Sequence, residues 1–211
     1  MQTHTSAFIR PLAAVLGLGA LVLGLAGCAS TASLPPAPAS AAKSDYEYRV
    51  GPGDTLQITV WRNPELSSVV PVRPDGKLSA PLVDELVAQG KTSQQIARDV
   101  EKLLGKYVRD PVVTVVVTSF VGPYSEQIRV VGAAARPQFL PYKQNMTVLD
   151  VMIAVGGLTD FADGNKATLV RAAEGNKHYG VRLDDLVNRG DISANVDMLP
   201  GDILIIPQGW F

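Results

Sequence analysis

Residues 48–61 read Tyr48-Arg49-Val50-Gly51-Pro52-Gly53-Asp54-Thr55-Leu56-Gln57-Ile58-Thr59-Val60-Trp61. Leu56, Ile58 and Val60 alternate with Gln57 and Thr59, the period of a half-buried strand. Tyr46–Val50 also alternates, so a second strand is expected before it. Gly51-Pro52-Gly53-Asp54 turns the chain between the two. Proline presets φ, glycine takes the φ > 0 position, and the aspartate can bond nearby backbone amides. The pattern returns near the end of the chain. Pro52-Gly53-Asp54-Thr55-Leu56-Gln57-Ile58 and Pro200-Gly201-Asp202-Ile203-Leu204-Ile205-Ile206 share Pro-Gly-Asp-x-Leu-x-Ile. Both read as structural entries into a core strand rather than as ligand sites.

Outward from residue 61, short strands are expected at Val69–Val72 and Lys77–Ser79, paired across the turn Pro74-Asp75-Gly76. Thr92 with Gln95 three positions on has capping-box spacing. The helix it opens carries Ile96, Val100, Leu103 and Leu104 on one stripe, and Gly105 closes it. Pro111 then opens Val112–Thr118, apolar on both faces. Such a run predicts a central strand covered on both sides, because an edge of this composition invites aggregation.

A second unit is expected from about Gln127. Ile128–Gly132 and Gln138–Leu140 form a hairpin. Thr147 and Asp150 cap a helix that ends at Gly156-Gly157. Strands are expected near Ala167–Arg171, Lys177–Val181 and Ile203–Ile206, with a helical turn over Leu183–Asn188. Short strands around one principal helix per unit make an α+β chain of two small mixed domains, not a doubly wound sheet.

The amino terminus reads as an address. Residues 12–27 are uncharged and apolar but only 16 long with four glycines, short of the ~20 that a span requires. A preceding Arg10 and a small-residue end describe a secretory signal peptide. Residues 29–45, nearly all Ala, Ser, Thr and Pro, bury no core and read as an extended, disordered tether.

Of 211 residues, 19 are Lys or Arg and 20 Asp or Glu. Without residues 1–27 the remaining 184 carry 18 cations against 20 acids, a formal charge of −2. That balance, with no basic run, argues against a nucleic-acid binder. One cysteine excludes a disulfide scaffold, and the two histidines, His4 and His178, leave little for a triad or a histidine metal site. No phosphate-loop, dinucleotide or nucleophile-elbow motif occurs. Asp84-Glu85 reads as a solvated pair and Asp184-Asp185 as a helix-start pair. The reading is of a chain without a catalytic, cofactor or metal site.

Leu25-Ala26-Gly27-Cys28 resembles the bacterial lipobox, which implies acylation of Cys28 and cleavage before it, with Ala29 favouring the outer membrane. Tyr48–Trp61, Val72-Arg73-Pro74-Asp75-Gly76-Lys77-Leu78 and Asp110-Pro111-Val112-Val113 resemble the polysaccharide export domain of outer-membrane lipoproteins that export capsule and exopolysaccharide. Val130-Val131-Gly132, Pro137, Thr147–Asp150 and Ala154–Leu158 are similar to the soluble-ligand-binding β-grasp domain that follows it. The resemblance divides the chain into a signal peptide (1–27), lipidated Cys28 and tether (28–45), an export domain (46–122) and a β-grasp-like domain (123–211). It leans toward the short exporters found beside exosortase systems, partly through Trp210-Phe211.

The resemblance implies a periplasm-facing ring of identical subunits, anchored by lipid. The ring would take polysaccharide from an inner-membrane chain-length-determining co-polymerase and pass it outward without chemistry. Larger relatives add an amphipathic pore helix that this sequence lacks after its last strand, so an outer-membrane β-barrel is expected as a further partner. Trp210 and Phe211 either seat the ring at the headgroups or pack on their own domain. The competing reading is a monomeric tether that binds polymer or partner and forms no conduit.

Overall fold

The computed structural model describes residues 34–40 and 46–209. The signal peptide, Cys28 and Trp210-Phe211 lie outside the described residues. The described residues fold into a mixed α+β body with two hydrophobic cores.

The first core is built on β1 (Thr55–Val60), β2 (Ser68–Pro71) and β5 (Val113–Ser119), ordered β2-β1-β5 and antiparallel throughout. A separate ribbon pairs β3 (Lys77–Ala80) with β4 (Val83–Val87). Leu56, Ile58 and Val60 are buried, as their alternation requires. Helix α1 (Ser93–Leu104) is opened by the capping box of Thr92 and Gln95 and buries Ile96, Ala97, Val100 and Leu104. It is tied to the sheet by polar contacts: Arg98 donates to the carbonyl of Val113 at 3.2 Å, and Glu101 accepts the Val113 amide at 2.9 Å. Gly105 closes the helix in the right-handed region (φ −56), so the stop does not use its freedom to take positive φ.

Three expectations for this domain are corrected. Tyr46–Val50 is extended but joins no strand; Val50 instead exchanges backbone bonds with Gly90 and Lys91, at 2.8 and 2.9 Å. The turn at Pro74-Asp75-Gly76 forms, with Arg73 and Lys77 bonded across it at 2.8 Å, but β2 and β3 belong to different sheets. β5 is an edge strand rather than a central one. Only its inward residues Val113 and Val115 are buried, while Val112 and Val116 are 57% and 50% exposed.

The second core lies under a five-stranded sheet ordered β7-β6-β10-β8-β9, from β6 (Ile128–Gly132), β7 (Phe139–Leu140), β8 (Ala167–Arg171), β9 (Lys177–Val181) and β10 (Ile203–Ile206). β10 runs parallel to β6 and antiparallel to β8, so the last strand is inserted at the centre. Helix α2 (Val148–Val155) buries Val148, Val151, Met152 and Val155 in the same core as Ile128, Val130, Leu169, Leu204 and Ile206. Its Thr147–Asp150 capping box and the left-handed Gly156 (φ 81) are in place. One principal helix packed in the grip of a mixed sheet is the β-grasp-like arrangement. The short α3 (Leu183–Val187) leads toward β10.

Within the stretch expected to be a disordered tether, the described residues 34–37 pair with the body instead. Gly180 of β9 donates to Pro35 at 2.8 Å and accepts from Ala37 at 3.2 Å, so residues 34–37 lie along the sheet edge.

Candidate functional site

The two Pro-Gly-Asp turns have the same construction. Gly53 and Gly201 take φ of 90° and 83°. Each aspartate accepts the amide three residues before it, Gly51 to Asp54 at 2.9 Å and Leu199 to Asp202 at 2.8 Å. Both aspartates are fully buried, and so are the leucines that follow them, Leu56 and Leu204. Pro52 and Pro200 sit half-buried at the turn corners.

The surroundings of the two carboxylates differ. Asp54 also accepts the amides of Val121 and Gly122, at 2.6 and 2.8 Å, and the hydroxyl of Tyr48 at 2.7 Å. It is fully satisfied, and the tyrosine's own burial, followed by its hydrogen bond to the Asp54 carboxylate, pushes the Tyr48 hydroxyl well above the ordinary tyrosine range. Asp202 has one oxygen without a partner. Its neighbour is the buried Arg171, whose Nε lies 3.6 Å away and makes no hydrogen bond, while Nη2 donates to the carbonyl of Asp197 at 2.8 Å. Burial outweighs the arginine and pushes the Asp202 carboxyl up to about 6.

Asp54 thereby fixes the crossing between the domains. Gln127 donates to the carbonyls of Val121 and Gly122 at 3.2 and 3.3 Å, so the same two residues are held through both their amides and their carbonyls. Tyr46 packs edge-on against Tyr142 at 4.9 Å and donates to Glu126 at 3.0 Å. Tyr48 packs against Phe120 at 5.2 Å. The alternating tyrosines at 46 and 48, read in the sequence as a strand, brace this joint instead.

The surface carries the remaining signal. On the outer face of the first sheet, Gln57 stands between Val69 and Val116 by register, and Thr59 faces Thr114. Val69 is 63% exposed, and at the end of that face Trp61 is 66% exposed beside Val112. The far side of β5 meets no strand among the described residues.

The residues considered for chemistry are held apart or paired. His178 is exposed on β9 opposite Val170. Glu85 accepts from Lys77 at 2.8 Å and from Arg73 at 3.2 Å, with Asp75 on the same arginine. Asp184 and Asp185 lie in the first turn of α3, where Asp185 pairs with Arg182 and Arg189 at 2.8 and 3.0 Å. Among the described residues no cluster of His, Cys, Asp or Glu is arranged to hold a metal ion.

Residues 42–118 match the family model described as polysaccharide biosynthesis/export protein, and residues 127–182 match the SLBB domain. Over residues 42–118, then, the chain carries the domain of the polysaccharide biosynthesis/export protein family, followed by an SLBB domain. It is 25% identical over 185 residues to the EPS I polysaccharide export outer membrane protein EpsA of Ralstonia nicotianae (strain ATCC BAA-1114 / GMI1000), covering 76% of this chain and 47% of that protein. It is 33% identical over 150 residues to the exopolysaccharide production protein ExoF of Rhizobium meliloti (strain 1021), covering 64% of this chain and 34% of that protein. The chain thus spans about half the length of EpsA and a third of ExoF that it matches. The export match takes in the three-stranded sheet except the last residue of β5, Ser119, and the SLBB match runs from β6 to β9. The central strand β10, with the second Pro-Gly-Asp turn, lies beyond the matched range.

Proposed function

We propose that this protein is a lipid-anchored outer-membrane component of exopolysaccharide export, facing the periplasm, whose copies assemble into a ring that conducts the polymer without chemistry. The observation that carries the reading is the tandem of export and SLBB domains locked by the Asp54 joint, since a conduit subunit must hold its shape under a passing chain. The name of the Ralstonia relative, an export outer membrane protein, supports the location. The lipobox-like Leu25–Cys28 supports acylation at Cys28 and anchoring by its acyl chains. Self-assembly is supported by β5, an edge strand that no strand among the described residues pairs on its far side, beside an exposed face that carries Val69, Val112 and Val116. Tethering to one membrane raises the effective concentration of the subunits and favours closure of a ring. The polymer would be delivered by an inner-membrane co-polymerase.

The test is complementation. A strain lacking the protein should secrete little polysaccharide, wild-type chain should restore secretion, and Cys28→Ser should not. Undiminished secretion by the deletion strain would contradict the reading.

A further inference from the structure

The second sheet has an outer face that the assembly described above does not use. β6 and β7 place Arg129 directly opposite Phe139, so the two side chains rise from the same face, with Cβ atoms about 5 Å apart at such a pair. Val131 follows on that face by alternation, and Tyr124 and Pro137 complete a groove of about 370 Å³. Tyr124 is 71% exposed and Phe139 58%. Arg129 is exposed, and no carboxylate among the described residues pairs with it. Gln127 is committed to the carbonyls of Val121 and Gly122, which fixes the floor of the groove to the interdomain joint.

Two large aromatic rings left in water cost free energy unless something covers them. A pyranose ring has an apolar face of axial C–H groups that lies flat on an aromatic ring, while its hydroxyls stay in water. A guanidinium beside such a ring offers five donors and pairs a carboxylate in bidentate fashion. Unpaired cation and exposed rings together therefore complement a sugar that has both an apolar face and an acid.

We propose that the Tyr124–Arg129–Phe139 groove is a contact site for an acidic pyranose residue, such as a uronate, of the polymer in transit. The proposal rests on the export reading. A contact of this kind is shallow and open, so it binds weakly and releases fast, as a passage requires.

The test uses the full-length chain in detergent, titrated with hexagalacturonate as the acidic probe and maltohexaose as the neutral one. Wild-type protein should bind hexagalacturonate more tightly than maltohexaose. Phe139→Ala and Tyr124→Ala should each weaken hexagalacturonate binding about tenfold, a loss of ~1.4 kcal/mol per variant. Arg129→Gln should weaken the acidic probe and leave the neutral one unchanged. All three positions are exposed, and unfolding curves will confirm intact folds. The proposal is overturned if wild type binds neither probe, if the variants bind as wild type does, or if they lose binding to anionic phospholipid vesicles and not to sugar. In cells the two readings separate. Wild-type chain that fails to complement refutes export; an Arg129→Gln/Phe139→Ala chain that secretes as well as wild type refutes only the groove.

Discussion

The carboxylate of Asp54 accepts the backbone amide of Gly122 at 2.8 Å, joining residues 68 apart in sequence. With Val121, Gly51 and Tyr48 it takes four donors in a fully buried position. Replacing it with alanine leaves buried amides unpaired, each costing ~1–3 kcal/mol. Asp54→Ala should therefore lower unfolding free energy in urea by about 3 kcal/mol or more and loosen the domain joint. Asp75→Ala, which removes an exposed, solvent-screened pair with Arg73, should leave the unfolding midpoint nearly unchanged. Equal losses in the two variants would contradict this account of the joint.

Asp202 makes stability depend on pH in a definite direction. Its folded carboxyl titrates near 6, above the ordinary aspartate value of 3.8. Between those two values the folded chain holds a proton that the unfolded chain has released, so this group favours folding as pH falls and opposes it as pH rises through 6. Wild-type stability should carry a term that declines from about pH 4 to pH 6 and then levels. Asp202→Asn should remove that decline, and urea midpoints measured across the range will show it. An unchanged slope in the variant would place the titration elsewhere.

Glycines at positive φ separate by what surrounds them. Gly132 sits at φ 94, and a Cβ there would overlap the carbonyl of Ile206 in the central strand. Gly90 has φ 77 and open space. Gly90→Ala should cost about 1 kcal/mol, the price of the left-handed backbone, while Gly132→Ala should push β6 from β10 and yield little soluble protein. The yield and the urea midpoint of each variant check this contrast.

Much of the second domain could be read from residue order, because its signals are local. Thr147 and Asp150 bond to each other's backbone within one turn, and Gly156 stops α2 by its own conformation. The central placing of β10 could not be read, since its neighbour β6 lies more than 70 residues earlier. In the first domain, an apolar run such as Val112–Thr118 has the same composition whether a second layer covers it or it is left open, and the structure leaves it open. β4 escaped notice because Val83-Asp84-Glu85-Leu86-Val87 breaks alternation, its burial running in-out-out-in-out. Residues 34–37 gave no strand signal; they lie on β9 where Gly180 has no side chain to hold them off. Of the candidate site, Asp54 and Asp202 were visible through the repeated motif, but their unlike surroundings depend on Tyr48, Gly122 and Arg171, which only the fold brings near.

The central claim is that subunits assemble through the first domain, and native mass tests it most directly. Full-length protein would be extracted in mild detergent and weighed intact, beside Cys28→Ser and Val116→Asp. Val116 is half exposed on β5, so an aspartate there leaves the core untouched while placing charge on the assembling face. The account predicts one discrete high-order oligomer for wild type, reduced to monomer by Val116→Asp with its unfolding curve unchanged. A monomer or dimer at every concentration, or a Val116→Asp oligomer identical to wild type, would contradict it.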